Sequence, residues 1–113
     1  MKRDPRLYLD DILEAITAIA EYTQGVSQEE FLRNRVLQDA VVRRIEIIGE
    51  AVNQLPQEAK EKALDIPWTD MVGMRHRLIH GYFGVSLARV WEVVERDLPA
   101  LKPKLEDIQR LLD

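Results

Sequence analysis

Apolar residues recur along the first part of the chain at the spacing of an amphipathic helix. Between Pro5 and Thr23 they fall at positions i, i+3, i+4 and i+7, so they share one side of a helix. Asp4 followed by Pro5 is a typical pair of capping and first-turn residues, and Gly25 is expected to end the helix. The residues on this apolar side are Leu9, Ile12, Leu13, Ile16, Ile19 and Ala20.

A second, longer apolar run predicts a helix from Ser27 to about Leu55. Ser27 and Glu30 have the spacing of a capping box, and Pro56 is expected to stop the helix. The apolar positions cover more than one side, which is typical of a central helix that touches several neighbours or a second subunit. They are Phe31, Val36, Leu37, Ala40, Val41, Ile45, Ile47, Ile48, Ala51, Val52 and Leu55.

A short connector leads to a third core helix. Residues 57–64 are rich in charge and are typical of a surface helix, which Ile66-Pro67 ends because proline disfavours the helical conformation in the residue before it. The third core helix is expected to run from Trp68 to about His80, with Gly81 as its C-terminal stop. Its apolar residues are Trp68, Met71, Val72, Leu78 and Ile79.

The C-terminal segment predicts a fourth helix that begins after Ser86, a good capping residue. Its apolar residues keep a near-heptad spacing, whereas Pro99 and Pro103 are expected to kink or split the helix. No segment shows the alternating pattern of a strand. The 113 residues fit one domain, so the expected fold is all-α: one four-helix bundle over residues 1–113, with a short extra connector helix and a kinked C-terminal helix.

Composition and charge narrow the classes of function. The net charge of −4 argues against general attraction to nucleic acid, so a polyanion would have to meet a local basic cluster. The absence of cysteine excludes disulfides, thiolate chemistry and zinc–thiolate sites. Neither a membrane span nor a signal peptide is visible, so a soluble cytoplasmic protein is expected. The candidate basic residues are Arg33, Arg35, Arg43, Arg44, Arg75 and Arg77.

The stretch 75–82 holds both histidines, two arginines and a tyrosine. A forked guanidinium suits phosphate, and an imidazole that titrates near neutral pH suits proton transfer. On a regular helix Arg75 and His80 lie about 140° apart and ~7.5 Å along the axis, so one chain's pair does not point at one atom unless the helix loosens near Gly81. A two-fold dimer would bring two arginines and two histidines into one cleft. That set is sufficient for metal-free RNA cleavage, in which the 2′-hydroxyl is the nucleophile.

Other interpretations of these residues remain open. His76 and His80 have the i, i+4 spacing of a metal pair, but Arg77 stands where a zinc protease carries glutamate, so no metal site is predicted. His76 is expected to be a surface residue. Arg75 could form a salt bridge, His80 could complement a helix C-terminus, and Tyr82 could be a packing aromatic.

Two further groups of residues also have alternative interpretations. Glu46, Glu50 and Asn53 form a polar line that is either a solvent-exposed side, with Arg43 paired to Glu46 or Glu50, or the border of a site. A salt bridge from Arg75 would also end on Glu46 or Glu50. The tryptophans at positions 68 and 91 are expected in the core and not as base-stacking platforms.

Arg75, His80 and Tyr82 match the Arg-x4-His-x-Tyr signature of HepT-like proteins in the HEPN superfamily, and Ile48-Gly49-Glu50-Ala51 with Asn53 resembles their second helix. The resemblance covers nearly the entire chain. It implies a HEPN-type bundle and a homodimeric, metal-independent endoribonuclease toxin of a toxin–antitoxin pair. Arg75 and His80 of both subunits would form its cleft, and tRNA is the substrate that the family suggests.

The resemblance also implies a partner, a nucleotidyltransferase antitoxin of the MntA type that transfers AMP from ATP to the hydroxyl of Tyr82. Glu50 and Asn53 are then candidate orienting groups, and Arg77 is a candidate for binding a neighbouring phosphate. No cofactor is expected. The alternative, from another class, is a non-catalytic helical binding module that partners a nucleotidyltransferase.

Overall fold

Helices make up the architecture. The computed structural model describes residues 3–80 and 86–112, with the backbone alone at 79 and 80, and no strand occurs among them. The expected all-α class is therefore confirmed, and none of these helices is long and apolar enough to cross a membrane. In chain order they are α1 (Pro5–Tyr22), α2 (Gln28–Arg33), α3 (Arg35–Gln54), α4 (Gln57–Lys60), α5 (Trp68–His80), α6 (Leu87–Glu92) and α7 (Leu98–Leu112), with a π-helical turn (Val93–Asp97) between α6 and α7.

Local capping fixes the starts of the first two helices. The Asp4 carboxylate accepts a hydrogen bond from the backbone N–H of Arg6 at 2.9 Å. The Ser27 hydroxyl accepts one from the N–H of Glu30 at 3.1 Å. Between the two helices Gly25 has a φ of +74°, a conformation that favours glycine. The predicted caps and the predicted end of α1 are confirmed.

The second predicted helix is interrupted at Asn34, so the expectation of one continuous helix is wrong. Asn34 has φ −109° and ψ 96°, and its side chain accepts a hydrogen bond from the N–H of Leu37 at 3.0 Å. An asparagine that caps a new helix in this way competes with continuation of the old one. The break also leaves Val36, expected in the core, 81% exposed.

α3 is the central helix, as its apolar pattern predicts. It packs on α1 along one side and on α5 along another, while α7 packs on α1 and α2 contacts α3 and α6. The ring centroids of Phe31 and Trp91 lie 5.2 Å apart, which joins α2 to α6. The largest fully buried side chains are Phe31, Leu9, Ile12, Ile19, Leu105, Ile108, Val41, Val52 and Val90.

The connector before α5 is tied to the core by a tryptophan. α4 is shorter than predicted, but the buried Trp68 at the start of α5 donates its indole N–H to the carbonyls of Lys60 and Ala63, each at 3.1 Å. A salt bridge of 3.0 Å between Lys104 and Asp65 joins the connector to α7. These contacts hold the first turn of α5, and the core positions predicted for both tryptophans are confirmed.

The C-terminal helix is divided by its π-helical turn. Ser86 caps α6, as predicted, by accepting a hydrogen bond from the N–H of Arg89 at 3.3 Å. The π-helical turn ends just before Pro99, which has no N–H to offer to the carbonyl four residues earlier, so the wider turn falls where the α-helical pattern fails. Pro103 lies inside α7, which continues through it.

Candidate active site

The closest approach of α5 to α3 occurs at Gly49. A Cβ added to this buried glycine would lie 2.3 Å from the Cβ of Arg75 and 3.1 Å from the carbonyl oxygen of Met71. Real Cβ atoms do not come this close, so at this spacing of the two helices the position takes glycine alone. Gly49 therefore sets where on α3 the backbone of Arg75 rests.

Arg75 is partly buried, and the aliphatic part of its side chain lies against α3. Its Cδ would be 3.2 Å from a Cβ at Gly49. Among the described residues, its guanidinium forms no hydrogen bond or ion pair, and the salt bridge to Glu46 or Glu50 considered above is absent. Glu46 instead pairs with Arg43 at 3.8 Å. Arg75 is thus positioned through its stem, while its charged end has no partner in this part of the chain.

The polar line on α3 is divided between two sides of the helix. Asn53 is exposed and follows Gly49 by four residues, so it lies on the side of α3 that α5 contacts. Glu50 is exposed and lines a shallow depression of about 190 Å³ between α1 and α3, together with Tyr8 and Asp11 of α1. The structure therefore brings Asn53 towards α5 and Glu50 towards α1.

Arg77 lies away from Arg75. The two positions differ by two residues, which is about 200° around a helix. Arg77 is exposed and lines a groove of about 320 Å³ between α5 and the C-terminal helices, whereas Arg75 and Gly49 do not line it. The sequence alone predicts that Arg75 and Arg77 lie on different sides of α5, although they are close together in the chain.

His80 is the last residue of α5, and the helix is regular up to that point. Arg75 and His80 therefore keep the separation of a regular helix, about 140° in angle and ~7.5 Å in rise. α5 does not depart from regular helical geometry before His80, so the side chains of Arg75 and His80 in one chain are not brought to the same side. Gly81 and Tyr82 lie outside the described residues, and His76, four positions before His80, is exposed as expected.

The part of the chain that the structure describes contains no group of three or more histidine, aspartate and glutamate side chains that could hold a metal ion. The contact of α3 and α5 instead brings together Gly49, the aliphatic part of the Arg75 side chain and the helix side that carries the amide of Asn53. Such an arrangement can present a cation to a phosphate. Proton transfer would need a titratable group in addition.

The described helices form an all-α bundle in which Arg75 is held against α3 on the helix that ends at His80. The chain belongs to the HepT-like ribonuclease family, because the family model described as "Ribonuclease HepT-like" matches residues 12–108. This membership supports ribonuclease function with RNA as the class of substrate.

Two relatives illustrate the similarity. The chain is 44% identical over 110 residues to a protein of Thermococcus cleftensis named "Probable ribonuclease HepT", and the match covers 97% of this chain and 100% of the relative. It is 49% identical over 113 residues, all of this chain, to a Methanocaldococcus jannaschii protein named "Gamma-glutamylcyclotransferase and putative RNase", of which the match covers 51%. The chain thus spans about half of that longer relative. No solved structure shows significant similarity to this chain.

Proposed function

We propose that this chain is a metal-independent endoribonuclease whose catalytic residues are Arg75 and His80, acting in a homodimer. The observation that carries the proposal is the placement of Arg75. Gly49 leaves room only for the stem of this arginine, and the guanidinium has no partner among the described residues. A cation held in this way on the helix that ends at His80 is suited to binding a phosphate.

The chemistry needs no other nucleophile than the substrate. His80 of one protomer takes the proton from a ribose 2′-hydroxyl, whose oxygen attacks the adjacent phosphorus. The bond from phosphorus to the 5′-oxygen breaks, and His80 of the other protomer gives that oxygen a proton. The products are a 2′,3′-cyclic phosphate and a free 5′-hydroxyl. The guanidinium of Arg75 neutralises the charge that develops on the phosphoryl oxygens.

The regular helix supports the need for two protomers. Because α5 continues through His80, the Arg75 and His80 of one chain lie on different sides of it. A two-fold axis near α5 would place the arginine of one chain beside the histidine of the other. Asn53, on the side of α3 that contacts α5, is assigned as an orienting group, whereas Glu50 lines the depression beside α1 and is assigned no role in the cleft.

The proposal extends to regulation. The chain would be the toxin of a toxin–antitoxin pair that cleaves tRNA, silenced when a nucleotidyltransferase antitoxin of the MntA type modifies Tyr82. The phenolic oxygen attacks the α-phosphorus of ATP, pyrophosphate leaves, and the phenolic proton is lost. The added AMP brings negative charge and bulk within two residues of His80, which repels RNA and blocks the cleft.

Cleavage of an end-labelled tRNA pool in excess EDTA tests the catalytic assignment. The unmodified protein is expected to cut, and His80→Ala is expected to lose at least about 10²–10⁴-fold in rate, the usual contribution of acid–base catalysis. His76→Ala is the matched control, because it removes an exposed histidine from the same helix. Equal loss in the two variants, or full activity of His80→Ala, would contradict the assignment. An intact unmodified dimer that cuts no RNA would favour the binding-module alternative.

Modification of Tyr82 has its own test. The protein is incubated with ATP and the purified nucleotidyltransferase, and mass spectrometry then measures the gain of AMP. Tyr82→Phe is expected to gain none, since it lacks the accepting oxygen, whereas Tyr22→Phe serves as the matched control and is expected to be modified like the wild type. A Tyr82→Phe variant that still gains AMP would place the acceptor elsewhere.

A further inference from the structure

A second recess lies beside the proposed catalytic helix. The groove between α5 and the C-terminal helices has a volume of about 320 Å³. Its floor is formed by the buried Ile45 and Ile48 of α3, and Met71 and Met74 of α5 form one wall. The opposite wall carries Val93, Leu98 and Leu101. The groove is therefore an apolar slot that runs along α5, on a different side from Arg75.

The rim of the groove carries four charged residues, two that are ion-paired and two for which no ion pair occurs among the described residues. Arg89 is bonded to Asp97 at 3.1 Å and to Glu92, which does not line the groove, at 3.2 Å, so its charge is shared between two carboxylates. Asp70 and Arg77, at the two ends of the α5 rim, form no hydrogen bond or ion pair with any described residue. They are seven positions apart, which is about 10.5 Å along the helix. Within the described part of the chain, the α5 rim thus presents one cation and one anion that no protein group pairs with.

We propose that this groove is a nucleotide-binding subsite for the single-stranded RNA that the ribonuclease cleaves. One unstacked base enters the apolar slot, and Arg77 binds the phosphate beside it. This inference rests on the proposed function, since it places a second nucleotide next to the reacting phosphate. Arg77 precedes His80 by three positions, and positions three apart are neighbours on a helix surface. A strand held at His80 can therefore reach Arg77 within a nucleotide.

The size and lining of the groove fit a base better than a protein segment. A volume of about 320 Å³ is at the lower end of the range for small-ligand sites, roughly 300–1,000 Å³. A docking helix inserts a series of side chains along two turns or more, and the rim from Asp70 to Arg77, about 10.5 Å long, only just reaches two turns. Proteins that recognise single-stranded RNA splay bases out and bury their flat faces. Methionines adapt their shape and make favourable sulfur–aromatic contacts, and the carboxylate of Asp70 can accept a hydrogen bond from a base amino group.

The π-helical turn forms part of the wall of the same groove. Its first and last residues, Val93 and Asp97, both line the groove. A π-helical turn is less favourable than a regular α-helix and occurs frequently at functional sites. Here it contributes to the wall facing Met74 and carries the Asp97 carboxylate that compensates Arg89. The wider turn and the slot therefore belong to one feature of the surface.

Binding of a non-cleavable RNA tests the proposal without relying on catalysis. The probe is a fluorescent, fully 2′-O-methylated hexanucleotide of mixed sequence, measured by anisotropy as a single strand and annealed to its complement. The wild type is expected to prefer the single strand. Ala100→Glu places a carboxylate in the groove from an exposed helical position and is expected to weaken binding about tenfold, the order of the contribution of one stacked base. Ala20→Glu, at an exposed position of α1, is the matched control for charge and is expected to bind like the wild type.

The methyl groups of Met71 and Met74 report where the RNA lies. In protein labelled with ¹³C at the methionine methyls, both signals are expected to shift with the single strand. They should reach half of their full shift at a free RNA concentration equal to the dissociation constant found by anisotropy. RNA that binds without moving either signal would overturn the subsite, as would equal affinities of Ala100→Glu and Ala20→Glu. Loss of a protein partner by Ala100→Glu with unchanged RNA binding would assign the groove to protein docking. None of these results touches the proposed ribonuclease, which fails separately if His80→Ala cleaves like the wild type.

Discussion

Gly49→Ala isolates the contact that positions the catalytic helix. The new Cβ would lie 2.3 Å from the Cβ of Arg75, far inside the ordinary contact distance between carbon atoms of about 3.5–4.0 Å. Both atoms are attached directly to helix backbones, so no change of rotamer relieves the overlap. α3 and α5 must separate locally by more than about 1 Å.

Two opposing terms decide the stability of this variant. Replacing glycine by alanine inside a helix favours the folded state by about 1 kcal/mol. Overpacking a close contact costs about 1–3 kcal/mol, and the overlap at Gly49 is severe enough for the upper end of that range. The net expectation is a loss of about 1–2 kcal/mol in the free energy of unfolding, or about 4–8 °C in Tm for a domain of this size. Urea unfolding followed by circular dichroism measures it.

The cleavage rate of Gly49→Ala should fall by more than its loss of stability alone would explain. A shift of about 1 Å in a catalytic group can reduce a rate by about 100-fold, and here the shift moves the helix that carries Arg75. The rate is measured at a temperature where the variant remains folded. Gly73→Ala is the matched control in α5, since its new Cβ would meet nothing closer than the Arg77 Nη1 at 3.6 Å, and it should gain up to about 1 kcal/mol. Equal gains in the two glycine variants, with cleavage unchanged, would refute the close contact.

Three other substitutions test the fold. Asn34→Ala removes the cap on the N–H of Leu37 and should cost about 1 kcal/mol in urea unfolding, which Asn34→Ser should largely restore. Gln38→Leu removes the buried amide that donates to the carbonyl of Phe31, which keeps only a 3.3 Å hydrogen bond from the N–H of Asn34, and should cost about 1 kcal/mol in the same assay. A neutral result would mean that the remaining hydrogen bond or water replaces the amide. Hydrogen bonds from the side chain of Arg6 and, second, from its backbone N–H lower the pKa of Asp4. The ionised cap therefore contributes its full stability above the ordinary aspartate pKa of about 3.9. This contribution is lost as the pH falls through the lowered pKa. Asp4→Asn should remove this pH dependence, and a carboxyl NMR titration of Asp4 with an unshifted midpoint would contradict it.

Local chemistry explains which parts of the fold could be predicted from the sequence. A cap such as Ser86 acts on the N–H groups that follow it within one turn, so it is visible in the sequence. Asn34 uses the same chemistry, but it lies within a long apolar pattern that favours a continuous helix. The exposure of Val36 follows from that break, because periodicity counts residue types and not the neighbours that cover them.

The candidate site depends more on tertiary contacts. Gly49 is visible in the sequence as part of a short motif, but its physical role requires knowledge that Arg75 lies across it. The separation of Arg77 from Arg75 follows from helix geometry alone. The groove beside Arg77 could not be predicted from helix geometry, because its walls come from α5 and from helices that begin after residue 86.

The regular course of α5 leads to a quantitative test of the dimer. If both imidazoles of His80 act in one cleft, a dimer with a single His80→Ala protomer is inactive. After equal amounts of wild type and His80→Ala are unfolded together and refolded, random pairing leaves about one quarter of the dimers with both histidines, and cleavage should fall to about one quarter of that of the same total amount of wild type. Protomers that each contain a complete site would retain about one half. Refolding the wild type with His76→Ala is the control and should retain full cleavage. A value near one half for the His80→Ala mixture would show that one His80 is enough for each active site, which contradicts a cleft in which both imidazoles act.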